Sequence, residues 1–139
     1  MPLVSRTHRY IIGVDTHARK HVYAVVAANG ELLDTRDFPT SLKGIGRAVV
    51  WVHRTTDNDD DLLWVIEGAA SYGAVLATHL ARTGDKVVEA PRMDAKIRHG
   101  TGKSDPLDAA RIGMAVLSID ATQLRTPRRN NGTRTSLRV

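Results

Sequence analysis

The chain contains no cysteine, which excludes disulfides and every metal site built on thiolates. Any bound metal must then be held by carboxylates, histidines or water, a donor set that suits hard cations such as magnesium. No apolar run approaches the roughly 18 residues of a membrane span. The opening "MPLVSRTHRY" also lacks the apolar stretch of a secretory signal. A cytoplasmic protein with no membrane association is the expectation. Acids are missing after Asp120, where Arg125, Arg128, Arg129, Arg134 and Arg138 follow. Residues 1–120 hold 15 basic and 15 acidic side chains, so the whole net charge of +5 sits in this tail. Such a run fits a solvated linker as well as a nucleic-acid contact.

What is present reads as one core rather than two, given 139 residues. "YIIGVDT" (10–16) is short, β-branched and almost wholly apolar, as a strand buried on both faces should be. "HVYAVVAANG" (21–30) is a second strand whose Asn29-Gly30 signals a two-residue hairpin, and "ELLDTRDF" (31–38) is its return. Ser41 is placed to cap a helix in which Leu42, Ile45, Val49 and Val52 share a face. "LLWVIEG" (62–68) is another buried strand, a helix follows from about Tyr72 with Gly84 at its C-terminal turn, and "KVVEAP" (86–91) is a short strand. The last helix runs from Pro106 to Ser118. No internal repeat is visible. The order β-β-β-α-β-α-β-α, antiparallel first and alternating afterwards, implies an α/β fold. Its sheet is mixed, with helices on both faces. The boundaries are a folded domain over 1–120 and a basic tail over 121–139.

Two of the buried strands end in a carboxylate, Asp15 and Glu67. An ionised group leaving water is costly unless paired or metal-bound, so two such endings in one chain suggest a site. "GKSDPLDAARIGMA" (102–115) adds Asp105 and Asp108 at i and i+3, on one side of the last helix. Helix capping explains this pair as well, with Asp105 as N-cap, Pro106 at N1 and Asp108 at N3. The two roles are compatible. Two like charges about 4 Å apart repel by about 4 kcal/mol at an effective dielectric near 20. Four converging carboxylates would therefore protonate or recruit divalent metal. A two-metal arrangement assists in-line phosphodiester attack, which points to metal-dependent phosphoryl transfer on nucleic acid. Arg92, Lys96, Arg98 and Lys103 immediately precede the pair and are candidates for backbone-phosphate contacts.

Other motifs fail on inspection. "HGTGKS" (99–104) resembles the end of a phosphate-binding P-loop, but Ile97 stands where the first glycine belongs and Asp105 follows with an adverse charge. "DNDDDL" (57–62) would need glycine at Leu62 and glutamate at Gly68 to be an EF-hand loop. His17 and His21 have zinc-like spacing, yet Ala18 replaces the glutamate and the segment joins two strands; His17 lies close enough to Asp15 to touch a bound phosphate. His53 and His79 fall within helices as packing or surface residues.

"GVDTHARKHVYAVV", "EGAASYG" and "GKSDPLDAARI", in this order, closely resemble the DEDD transposases of the insertion sequence 110 family, relatives of the Piv-type invertases. The resemblance covers about residues 10–120. It implies a RuvC-like, ribonuclease-H-type domain whose catalytic acids, here Asp15, Glu67, Asp105 and Asp108, coordinate magnesium or manganese. It also implies site-specific recombination of DNA, a structured guide RNA and a homo-oligomer. Family members continue into a long helical segment and a C-terminal domain with a catalytic serine, to which nothing here can be matched; Ser71 and Ser104 lie in the N-terminal motifs. The expectation is a truncated transposase with its metal site but without recombination activity alone. The alternative is a catalytically dead module that binds nucleic acid or dimerises, followed by a P-loop-like NTPase.

Overall fold

The computed structural model describes residues 3–91 and 106–126. The elements are α1 (Val4–Thr7), β1 (Tyr10–Thr16), β2 (Lys20–Ala27), β3 (Leu32–Pro39), α2 (Leu42–Thr55), β4 (Leu63–Glu67), α3 (Ala74–Arg82), β5 (Lys86–Glu89) and α4 (Pro106–Met114), then a 3-10 turn at Ala121–Gln123. The strands form one sheet in the order β3-β2-β1-β4-β5. β1, β2 and β3 are antiparallel neighbours, whereas β4 and β5 join β1 in parallel. The mixed α/β sheet expected from the sequence is therefore the one formed. Among the described residues no helix is long and apolar enough to cross a membrane.

Strand alternation divides the side chains of β1 between two helical layers. Ile12 and Val14 join Trp64 and Ile66 of β4 beneath α2 and α3, which contribute Ile45, Val52, Leu76 and Leu80. Ile11 faces the other way with Leu63 and Val65, beneath Ile112 and Val116. Helices thus cover both faces, which explains why β1 is apolar throughout.

Local chemistry sets the connections. Ser41 caps α2 as expected, its Oγ accepting from the Gly44 N–H at 3.1 Å. The buried stripe of α2 centres on Ile45, Ala48, Trp51 and Val52, and Leu42 remains exposed at the first turn. At the hairpin only Gly30 takes a positive φ, of +92°. The Gly30 N–H donates to the Ala27 carbonyl and the Ala27 N–H to that of Glu31, so Ala28 joins Asn29 and Gly30 in the loop. α4 ends at Met114 and gives way to turns over 115–118. Ala121 and Leu124 pack on the Ile11 side of the core, and the Glu89 N–H donates to the Arg125 carbonyl, so 121–125 stays attached to the sheet.

Packing is very tight where α4 crosses β1. A Cβ on Gly13 would overlap the Ala109 carbonyl oxygen and stand 2.6 Å from the Gly113 nitrogen. Only glycine lets the two backbones meet there. Gly46, inside α2, has nothing within 4 Å of the equivalent position. Gly13→Ala should therefore cost about 3 kcal/mol through overpacking, while Gly46→Ala should gain about 0.5–1 kcal/mol. Urea unfolding of both variants tests this, and equal stability would mean that α4 can move off β1 without cost.

Candidate metal centre

Asp15 is the penultimate residue of β1 and Glu67 the last of β4. The parallel register sets them directly opposite each other, on strands about 4.8 Å apart. By alternation Asp15 follows Ile11 and Gly13, and Glu67 follows Leu63 and Val65, so both belong to the face covered by α4. Asp15 is 5% exposed and Glu67 half-buried. The sequence thus brings two carboxylates together at the C-terminal ends of neighbouring strands.

α4 brings a third acid to the same end. Ala109 and Gly113 lie over Gly13, Ile112 and Val116 share a core cluster with Val4 and Ile11, and beyond α4 the Ile119 carbonyl accepts from the Val4 N–H before the start of β1. The helix therefore runs opposite to β1, and its first turn, with Asp108, lies toward Asp15. Arg111 Nη1 donates to Asp108 Oδ1 at 3.3 Å, an i,i+3 pair. Among the described residues no three histidines or acids are grouped closely enough to hold a metal by themselves. Asp105 lies outside the described residues, as do Arg92, Lys96, Arg98, Lys103 and the Gly102-Lys103-Ser104 stretch.

Hydrogen bonds fix the acids in place. His17 Nε2 lies 3.1 Å from Asp15 Oδ2, a contact reached because the chain turns immediately after β1. His21, buried on β2, accepts the His17 backbone N–H at its Nδ1, 3.3 Å away. Burial and then the neighbouring His17 hold the His21 pKa down at about 4, so this ring stays a neutral acceptor. Thr16 Oγ1 donates to the Glu67 carbonyl at 2.6 Å and ties the two strand ends together. Gly68, at φ +73°, turns the chain away at once, and its carbonyl accepts from the Ser71 and Gly73 N–H groups. Thr16 and Gly68 carry no mark of this role in the sequence beyond standing next to an acid.

The other candidates separate from this site. The acidic loop turns through positive φ at Asp57 and Asn58, and Asp59 Oδ1 accepts from the Asp61 N–H. His53 and His79 are half-buried on α2 and α3. The donor set at the strand ends consists of hard oxygens beside one imidazole, which fits a divalent cation of the magnesium type. A buried carboxylate with a second acid across the register is also where a cation would relieve most repulsion.

Comparison with known proteins agrees with this architecture. The family model of the DEDD transposases of insertion sequence 110, described as a transposase, matches residues 12–139. The structure of T. thermophilus RuvC in complex with Holliday junction substrate is similar, with a TM-score of 0.52 and 16% identity, covering 78% of this chain and 92% of that one. At that identity the likeness shows the fold, which is RuvC-like and of the ribonuclease-H type. No curated protein matches.

The burial of His21 beside His17 has a pH consequence. The folded pKa of His21, about 4, lies below its ordinary 6.5, so the unfolded chain binds this proton more tightly. The stability linked to His21 is whole above pH 6.5 and is lost as pH falls toward 4, by about 3 kcal/mol at most. Urea melts between these limits should show a shallower acid dependence for His21→Gln than for the parent. Parallel curves would place the acid sensitivity elsewhere.

Proposed function

The chain belongs to the DEDD transposase family of insertion sequence 110, enzymes that act on DNA, and from that premise we propose that Asp15, Glu67, Asp105 and Asp108 hold a magnesium or manganese ion. The chain's fold is RuvC-like. The observation that carries the proposal is the register pair Asp15–Glu67 at the ends of adjacent parallel strands. Support also comes from α4, which runs over the same face with Asp108 toward the same end. Asp105 stands one residue before Pro106, the first residue of that helix.

When bound, the cation supplies Lewis-acid stabilisation of the phosphoryl oxygens that gain charge during strand cleavage or transfer. The chain's own groups do the positioning. His17 orients the Asp15 carboxylate, and its partly exposed ring is within reach of a phosphate held beside that acid. Thr16 keeps the Glu67 main chain against the end of β1. Arg92, Lys96, Arg98 and Lys103 are proposed to hold the DNA backbone, a role that sets register without reading sequence. A structured guide RNA and a homo-oligomer are part of the same proposal, supported by the family alone.

A second reading, a module that binds nucleic acid or dimerises without catalysis, has the Asp108–Arg111 pair in its favour, because Arg111 engages an oxygen that a metal would need. Thermal unfolding with and without magnesium or manganese separates the two. A ligand at about 100 times its Kd stabilises the folded state by about 2.7 kcal/mol. The parent should therefore melt at a higher temperature with either ion, and Asp15→Asn and Asp108→Asn should not respond. A parent indifferent to both ions would leave Asp108 as a helix cap and favour the binding module.

A further inference from the structure

Charge is balanced over residues 1–120 as a whole, but not over the surface between β3 and α2. Arg36, Lys43, Arg47 and Arg54 line a groove of about 560 Å³ there, together with Phe38 and Trp51, and no acid contributes to it. All four cations are exposed. Among the described residues none of them enters an ion pair, whereas Lys20 and Arg111 do. Lys43, Arg47, Val50 and Arg54 fall at i, i+4, i+7 and i+11, one stripe along α2. Arg36 approaches from the edge strand, its guanidinium 5.1 Å from the centre of the Phe38 ring. α2 packs on the sheet face opposite α4, so this groove lies on the far side from Asp15 and Glu67.

We propose that this groove docks the sugar-phosphate backbone of duplex DNA, holding a segment that the chain does not cut. Four exposed cations without an acid call for a polyanion. The stripe extends about 16 Å along the helix at 1.5 Å per residue, or about five base pairs at 3.4 Å each. Single strands are held by basic grooves that also offer aromatic faces to unstacked bases. Here Phe38 and Trp51 are 7% and 9% exposed, and Arg36 already covers the Phe38 ring. A duplex needs no such platform, because its bases are stacked inside and its phosphates face outward. The family is one of transposases, whose substrate is duplex DNA, and the guide RNA proposed above is the competing occupant that the duplex RNA arm of the test sets against it. The proposal rests on membership of that family and not on the metal site.

The test is fluorescence anisotropy of a labelled DNA duplex with the full chain, in EDTA, so that failure of the metal proposal leaves it intact. Two phosphate contacts contribute about 1.8 to the slope of log affinity against log salt. Between about 50 and about 200 mM salt the parent should therefore lose about tenfold more affinity than Arg47→Ala/Arg54→Ala. Arg6→Ala/Arg82→Ala removes the same charge from exposed positions outside the groove and should keep the parent slope. Equal slopes for the parent and the groove variant, or an equal fall in the control, would overturn the proposal. So would a groove effect larger on single-stranded DNA or on duplex RNA than on duplex DNA. Matching melting temperatures for the three proteins show that the comparison concerns folded chains.

Discussion

The face of the sheet that carries Asp15 and Glu67 is shaped by the contact between Gly13 and α4. Main chain meets main chain there, with no side chain from β1 to hold the helix off. Ala109 and Ala110 continue the small surface toward Val22 and Ala24 of β2. Small residues on both sides give a thin layer, and a thin layer keeps the first turn of α4 close to the sheet. That closeness is what the proposed metal site would need to bring an acid on the helix toward the acids on the strands. A bulkier β1 would still form a strand, but the helix would stand off and carry Asp108 with it.

The opposite face is built differently. Tyr23, Phe38, Trp51 and Trp64 fill the space beneath α2 and α3, with Tyr23 edge-on to Phe38 and to Trp64. Large rings make a thick layer with much apolar area, about 25 cal/mol for each Å² removed from water. Much of the stability of the domain can reside there, and the α4 face is then free to carry charge. Burying Asp15 beside Glu67 works against folding. Placing the acids at strand ends, where Gly68 turns the chain and Thr16 bridges the strands, confines that cost to the rim of the sheet.

How far such an arrangement can be read from sequence depends on whether its cause is local. The β-branched run of β1, the Ser41 cap and the glycine after α3 act within a few residues, and each lies where the pattern indicates. α1 has four residues, too few for a helical period to show. The hairpin loop took in Ala28 because turn type follows from how the strands twist, not from Asn29-Gly30 alone. For the acids, a carboxylate closing an apolar run was visible twice, but that Asp15 and Glu67 stand opposite each other follows from register. The glycine inside β1 could have signalled a close approach, but its partner lies about 100 residues away, beyond any local pattern. The cations of the α2 groove escaped for a similar reason: Arg36 belongs to a different element, and the three on α2 are separated by apolar residues.

The two faces together suggest why a RuvC-like sheet suits a transposase. A parallel pair in the centre gives two strand ends pointing the same way, so acids at the same register position need no loop to gather them. The antiparallel extension through β2 and β3 lengthens the sheet sideways without adding to that end, and it supplies the edge on which α2 rests. The acids proposed to hold the metal stand at the rim above β1 and β4, and the sheet itself separates that face from the α2 surface. A chain that must hold DNA while acting on it gains from this division. Cations at the reacting phosphate would compete with the acids there for the charge of the site, whereas the cations of the α2 groove stand on the opposite face of the sheet.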